Sequence, residues 1–306
     1  MQIQSYLLIF FSVVILGFLA IDLGYFNRKA HRISANSAFW QSLFWIVLSL
    51  IFALLIFIFM NKVTAIEFLS AYVTEKMLSV DNLFVILLIF NYFKLEEKYF
   101  HKVLFWGILG AIVFRGIFIL TGAYIVEKFH FVLYIFGALL VYTGIELLKQ
   151  KKEKHANYHN SKVLRLAKRF FHFSENPHGG KFFVRENGKL HATILFMIVL
   201  IVESTDIVFA IDSIPAAFAI SQSIFVLFTS NIFAIMGLRA LFFLIENVVY
   251  KFHHLQKGLS FILIYIGAKM IVDIFGIHIS SFVSFGIIMT ALGIAIVSSI
   301  IFPKKI

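Results

Sequence analysis

Long apolar runs separated by short polar stretches dominate the chain, and the runs have the length of membrane crossings. Residues 44–60, apolar but for Ser49, and 195–202, apolar throughout, lack the alternation over about ten residues that a barrel strand shows. At ~20 residues per crossing of the hydrocarbon core, the pattern predicts nine helical spans. They lie near 5–25, 39–60, 65–91, 101–125, 129–148, 192–219, 223–247, 257–274 and 281–302. The expected fold class is an all-α polytopic membrane protein. One connection is long and polar, residues 149–191, and its end predicts a β-hairpin about the turn Asn187-Gly188.

Composition agrees with this pattern. Hydrophobic residues make up 61% of 306 positions and charged residues 14%, too apolar a balance for a soluble domain of this size. There is no cysteine, which excludes disulfides, thiolate metal sites and thiol redox chemistry by the chain itself. The opening Met1-Gln2-Ile3-Gln4-Ser5-Tyr6 lacks the basic start of a cleaved signal, so the first run is expected to remain as a helix.

Charge then orients the spans. Placing the 149–191 connection in the cytoplasm puts 21 of the 27 Lys and Arg inside and only Lys62 and Lys128 outside. The positive-inside bias therefore predicts an external N-terminus and a cytoplasmic C-terminus. The net charge of +11 is explained by these loops, which would meet anionic lipid at the cytoplasmic face, and no nucleic-acid partner is needed to account for it.

The four remaining cations, Lys76, Arg115, Arg239 and Lys269, lie inside spans and reveal a repeat. In each half an acidic motif is followed in the next span by an arginine, then by Gly144-Ile145-Glu146 or Gly267-Ala268-Lys269, 29 and 28 residues beyond Arg115 and Arg239. Three spans per unit reverse the second unit, so two inverted three-helix repeats are expected, with a substrate site between them near the midplane. The predicted organisation is two spans in 1–63, the first repeat in 64–148, the basic loop in 149–191, the inverted repeat in 192–275 and a last span in 276–306.

The acidic motifs place carboxylates six apart within apolar helices, Glu75 and Asp81 in one half, Asp206 and Asp212 in the other. A carboxylate at the bilayer centre costs roughly 2.5–3.5 kcal/mol on insertion scales, so such residues face protein or a wet cavity and mark an ion pathway. Helical periodicity aligns Glu75 with Ser79 and Asn82, and Asp206 with Ser213. Thr205 and Glu203 add oxygen. Bringing in Asp81 and Asp212 requires local unwinding, which Pro215 would favour by freeing the Ile211 carbonyl, or a ligand from another span. These donors are all oxygen or amide and suit a hard divalent cation, leaving Mg²⁺, Ca²⁺ and Mn²⁺ open. Arg115 and Arg239 are expected to pair with the carboxylates, and proton exchange is physically reasonable at such a site. Lys76 is expected to pair with a neighbouring acid. Glu67 at a span end is expected to be solvated, and Gly107, Gly110, Gly116 and Gly122 are expected to allow close helix packing.

The strings Glu75-Lys-Met-Leu-Ser-Val-Asp-Asn-Leu-Phe-Val85, Glu203-Ser-Thr-Asp-Ile-Val-Phe-Ala-Ile-Asp-Ser-Ile-Pro-Ala216 and Thr229-Ser-Asn-Ile-Phe-Ala-Ile-Met-Gly-Leu-Arg-Ala240 resemble TerC-family integral membrane proteins. The loop 182–189, Phe-Phe-Val-Arg-Glu-Asn-Gly-Lys, is similar to the Alx-like branch. The resemblance implies a bacterial inner-membrane protein associated with Mn²⁺ export and with tellurite resistance, with Mn²⁺ as substrate and no permanently bound cofactor. It carries the acidic site onto Glu75, Asp81, Asn82, Glu203, Asp206 and Asp212. The leading expectation is a non-enzymatic carrier exporting Mn²⁺. The alternatives are a membrane component of a tellurite, pH or redox stress-response complex with protein partners, and an intramembrane aspartyl protease using Asp81 and Asp212.

Overall fold

The computed structural model describes residues 2–24, 34–129, 131–149, 172–173, 180–186, 189–246, 255–275, 277 and 279–301. Among them run ten α-helices: α1 Gln2–Gly24, α2 Ala35–Phe59, α3 Lys62–Tyr92, α4 Phe100–Lys128, α5 Val132–Lys149, α6 Ile194–Ile220, α7 Ile224–Met236, α8 Leu238–Glu246, α9 Leu255–Val272 and α10 Ser281–Ile301. Most of the basic 149–191 connection, including His155, His159 and His178, lies outside the described residues, as do Lys304 and Lys305.

Five helices, α1, α2, α4, α5 and α10, are long and apolar enough to cross a membrane, and counting bent α6 and the bent α7–α8 pair as one crossing each makes seven. The other two expected spans, α3 and α9, are helical as well; α3 carries five charges, Lys62, Glu67, Glu75, Lys76 and Asp81, and α9 carries two, Lys257 and Lys269. Large apolar side chains such as Ile9, Leu54, Phe57, Tyr124, Ile135, Val208 and Ile294 are exposed, the arrangement expected where lipid is the solvent.

Local signals set the helix ends. Asn61 caps α3, its side chain accepting the Thr64 N–H at 2.8 Å. At the other end Lys94 takes φ 50°, and the Leu95 N–H reaches back to the Phe90 carbonyl at 2.9 Å, closing the helix with a Schellman turn.

Buried apolar residues form two clusters. One joins α1, α2, α3 and α7 through Phe11, Phe52, Phe68 and Phe233, with Phe52 and Phe11 ring centroids 5.1 and 5.2 Å from Phe233. The other joins α5, α9 and the later parts of α4 and α6. Its densest seam is α5 against α9, where glycines bring backbones together. A Cβ on Gly137 would lie 2.9 Å from the Gly267 carbonyl, and one on Gly144 would lie 2.8 Å from the Ser260 carbonyl. Advancing seven residues along α5 thus moves seven back along α9, so the pair is antiparallel. Gly107 and Gly122 likewise admit Val202 and Phe218 of α6 against α4, as the glycine pattern predicts.

The hairpin forms from β2 Phe183–Glu186 and β3 Lys189–Ala192, antiparallel with Glu186 opposite Lys189, and β1 His172–Phe173 pairs parallel with β3. It is anchored to the start of α4. Lys102 donates to the Gly180 carbonyl at 2.6 Å, and the Trp106 and Phe182 rings meet edge to face at 6.0 Å. Because β3 runs directly into α6 through Thr193, the sheet ties the starts of α4 and α6 together.

Candidate functional site

On α4 the buried stripe runs Ile108, Ala111, Arg115, Ile119, Gly122, so helical periodicity turns Arg115 inward with the apolar residues. It sits between Ala111, in the first apolar cluster, and Ile119, in the second. A guanidinium there, 1% exposed, persists only if it is paired and hydrogen-bonded. Three helices supply the partners. Glu75 of α3 forms a buried ion pair with Nη1. The Asn231 amide oxygen of α7 accepts from the same nitrogen at 2.8 Å, and Asp206 Oδ1 of α6 stands 3.7 Å from Nη2. Arg115 therefore joins α3, α4, α6 and α7 at one level.

The second half of the layer lies one turn back on α6. Glu203 presses its carboxylate against α4 at Gly110, where any Cβ would overlap it. Glu203 Oε2 and Asp206 Oδ2 are both buried without a hydrogen-bond partner. Unsatisfied buried carboxylate oxygens are costly, and here two lie three residues apart on one helix. Two described carboxylates, Glu75 and Asp206, share this one guanidinium, and Glu203 lies three residues from Asp206 on the same helix. The arrangement presents hard anionic oxygens to a cation that would enter beside, or in place of, Arg115.

The other expected site residues are placed as follows. Ser79 donates to Glu75 at 3.5 Å, and Asn82 and Ser213 are buried farther along α3 and α6. Thr205 differs from expectation: its hydroxyl proton goes to the Val202 carbonyl of its own helix at 2.7 Å. Pro215 bends α6 by 40° between Ala210 and Ser213, but the chain stays helical, so the expected unwinding is replaced by a kink. The α3 helix likewise continues through Asp81. The side chains of Asp81 and Asp212 lie outside the described residues, and among the described residues no three acids or histidines converge as a metal cluster. Arg239 is partly buried on α8.

Two expectations outside the acidic set are corrected. Among the described residues Lys76 gives its hydrogen bond to the Ala234 carbonyl at 2.8 Å and meets its neighbour Glu75 only through charge. Glu67 is held by the Ser221 hydroxyl at 2.7 Å and the Ser281 hydroxyl at 3.5 Å, which pin α3 to the loop after α6 and to the start of α10. Asn231 was not among the expected site residues. Its signal was present: Thr229-Ser230-Asn231 is a polar triplet inside an otherwise apolar helix.

The profile of the Integral membrane protein TerC family matches residues 60–305. The chain belongs to the TerC family. It is 41% identical to the membrane protein STKORF319 of Myxococcus xanthus, over 95% of this chain and 91% of that protein. It is 38% identical to a membrane protein of Rickettsia bellii, over 96% of each. Against the membrane-bound redox modulator Alx of Escherichia coli K12 the identity is 39%, covering 95% of this TerC-family chain and 92% of Alx. No solved structure matches it.

Proposed function

We propose that the protein is a secondary carrier that exports Mn²⁺, or a divalent cation of similar hardness, across the bacterial cytoplasmic membrane in exchange for protons. The observation that carries this reading is the buried layer of Glu75, Arg115, Asp206 and Asn231, with carboxylate oxygens of Glu203 and Asp206 left without partners. A layer built only for stability would satisfy those oxygens. A carrier needs them available to its cargo and needs a resident cation to hold the empty state, which is the part given to Arg115. Oxygen donors without thiolate favour Mn²⁺, Mg²⁺ or Ca²⁺ over zinc or copper.

In this reading nine helical units cross the bilayer, N-terminus outside and C-terminus in the cytoplasm, and α3–α5 and α6–α9 are inverted repeats. The α5–α9 seam supports the inversion. Matching Gly144 with Gly267, as the sequence repeat does, matches Gly137 with Ser260, and the observed contacts are Gly137 to Gly267 and Gly144 to Ser260. Exchanging the two units leaves that pattern unchanged, as a two-fold axis in the membrane plane would. Alternating access would then move one repeat against the other, and the chain acts as a carrier with no enzymatic step.

A second reading has one observation in its favour, the redox-modulator name of several relatives. The chain would then be a membrane component of a stress-response complex. Lacking cysteine, it would act through a partner. Flux into proteoliposomes containing a metal-quenched dye decides between the two. Wild type is expected to pass Mn²⁺, and Glu75→Gln, Asp81→Asn and Asp212→Asn are each expected to lower the rate at least about tenfold in protein that still purifies folded, which corresponds to a rate barrier higher by about 1.4 kcal/mol. Well-folded wild type that passes no divalent cation, with or without a pH gradient, would transfer the case to the second reading.

A further inference from the structure

Lys76 follows Glu75 on α3 but has no contact with the Arg115 layer's carboxylates as a hydrogen-bond donor; its ammonium goes to the Ala234 carbonyl of α7 at 2.8 Å. In an uninterrupted helix that carbonyl would accept from the N–H of residue 238. Here α7 ends at Met236, the axis turns by 41° at Gly237, and α8 starts at Leu238. The break exposes the C-terminal end of α7, where the helix dipole is negative. Gly237 is what makes room: a Cβ there would run into Lys76 Nζ on one side and lie 3.3 Å from the Trp45 Cβ on the other. The Tyr72 ring, with its centroid 5.8 Å from Nζ, closes the approach along α3.

A broken helix inside a membrane, with a freed carbonyl, a negative dipole end and an aromatic face, has the chemistry that holds a monovalent cation, and carriers with interrupted helices use such ends for Na⁺ or H⁺. We propose that the α7–α8 break is a monovalent-cation position whose occupant is built into the chain: the ammonium of Lys76 stands where a mobile Na⁺ or K⁺ would otherwise bind. The break then keeps its geometry without a bound ion, and the protein needs no Na⁺ or K⁺ for that purpose. This inference stands on the helix break alone and is independent of what, if anything, crosses the bilayer at Arg115.

The test is thermal unfolding of the full chain in detergent, in choline chloride, NaCl and KCl at equal ionic strength, so that no transport is required. Wild type is expected to melt at one temperature in all three. Lys76→Ala, which vacates the position, is expected to melt lower in choline by about 3 °C and to regain at least half of that loss in NaCl or KCl. Lys76→Gln keeps a donor without the charge and is expected to stay low in choline. Gly237→Ala fills the position with a methyl group and is expected to lose stability that neither salt restores. Lys76→Gln melting like wild type in choline would overturn the proposal, because a hydrogen bond alone would then suffice. Equal melting of Lys76→Ala in all three salts would overturn it as well. If Lys76→Ala does not fold in choline, recovery of folded protein in NaCl or KCl alone supports the proposal, and failure in all three salts overturns it.

Discussion

Helices α3–α5 meet helices α6–α9 in two ways. At the α5–α9 seam the contact is backbone against backbone, with Gly137, Gly144 and Gly267 allowing approaches that no side chain would tolerate. At the Arg115 layer the contact is charge against charge, reaching across four helices through long side chains. The seam excludes alternatives, because glycine-lined surfaces fit in one register. The layer admits them, because a guanidinium can leave a carboxylate if another cation replaces it. One interface is therefore suited to be a fixed axis and the other to be an exchangeable contact, although both join α3–α5 to α6–α9.

The sharpest way to break the comparison is to fill the seam. Gly267→Leu places a Cβ 2.5 Å from the Gly137 carbonyl and 2.9 Å from the Val141 N, both rigid backbone atoms. It is expected to cost more than about 3 kcal/mol and to abolish the monodisperse peak in fluorescence-detected size exclusion. In the layer, Arg115→Met leaves Glu75 buried and unpaired, at an expected cost of about 3–5 kcal/mol read as a lowered melting temperature. The double variant Arg115→Met with Glu75→Gln should recover more than half of that loss, whereas a compensating pair is not expected to rescue Gly267→Leu. If the double variant were no better than the single one, the layer would be packing and not exchangeable charge.

Smaller changes sharpen the contrast. Asn231→Ala removes a neutral acceptor from the guanidinium and is expected to cost ~2 kcal/mol, with Asn231→Asp losing less because the acceptor remains. Gly110→Ala pushes a methyl group into the Glu203 carboxylate. Its expected cost is about 1–2 kcal/mol, and it should fall toward zero in a Glu203→Ala background, a coupling measurable by a double-mutant cycle.

Much of this was legible along the chain. The helices occupy the expected segments because apolar runs of crossing length leave no other way to satisfy the backbone in lipid. Glu75, Arg115 and Asp206 stood out because a charge on an apolar helix face is costly unless something faces it. What failed in the reading were partners. Lys76 was expected to seek an acid, and its hydrogen bond goes to the Ala234 carbonyl, beside the break of another helix at Gly237. Glu67 was expected in solvent, and it is half-buried with hydrogen bonds from two serines of distant segments.

The sequence by itself determined which helices form and which buried positions carry charge, since both follow from periodicity and from the cost of desolvation within single segments. Only the tertiary structure decided that Arg115 chooses Glu75, Asn231 and Asp206, that Glu203 lies in the space left by Gly110, and that α5 and α9 touch through their backbones. Those choices depend on the crossing angle and register of helices far apart in the chain, set by packing summed over whole interfaces, which no local pattern encodes.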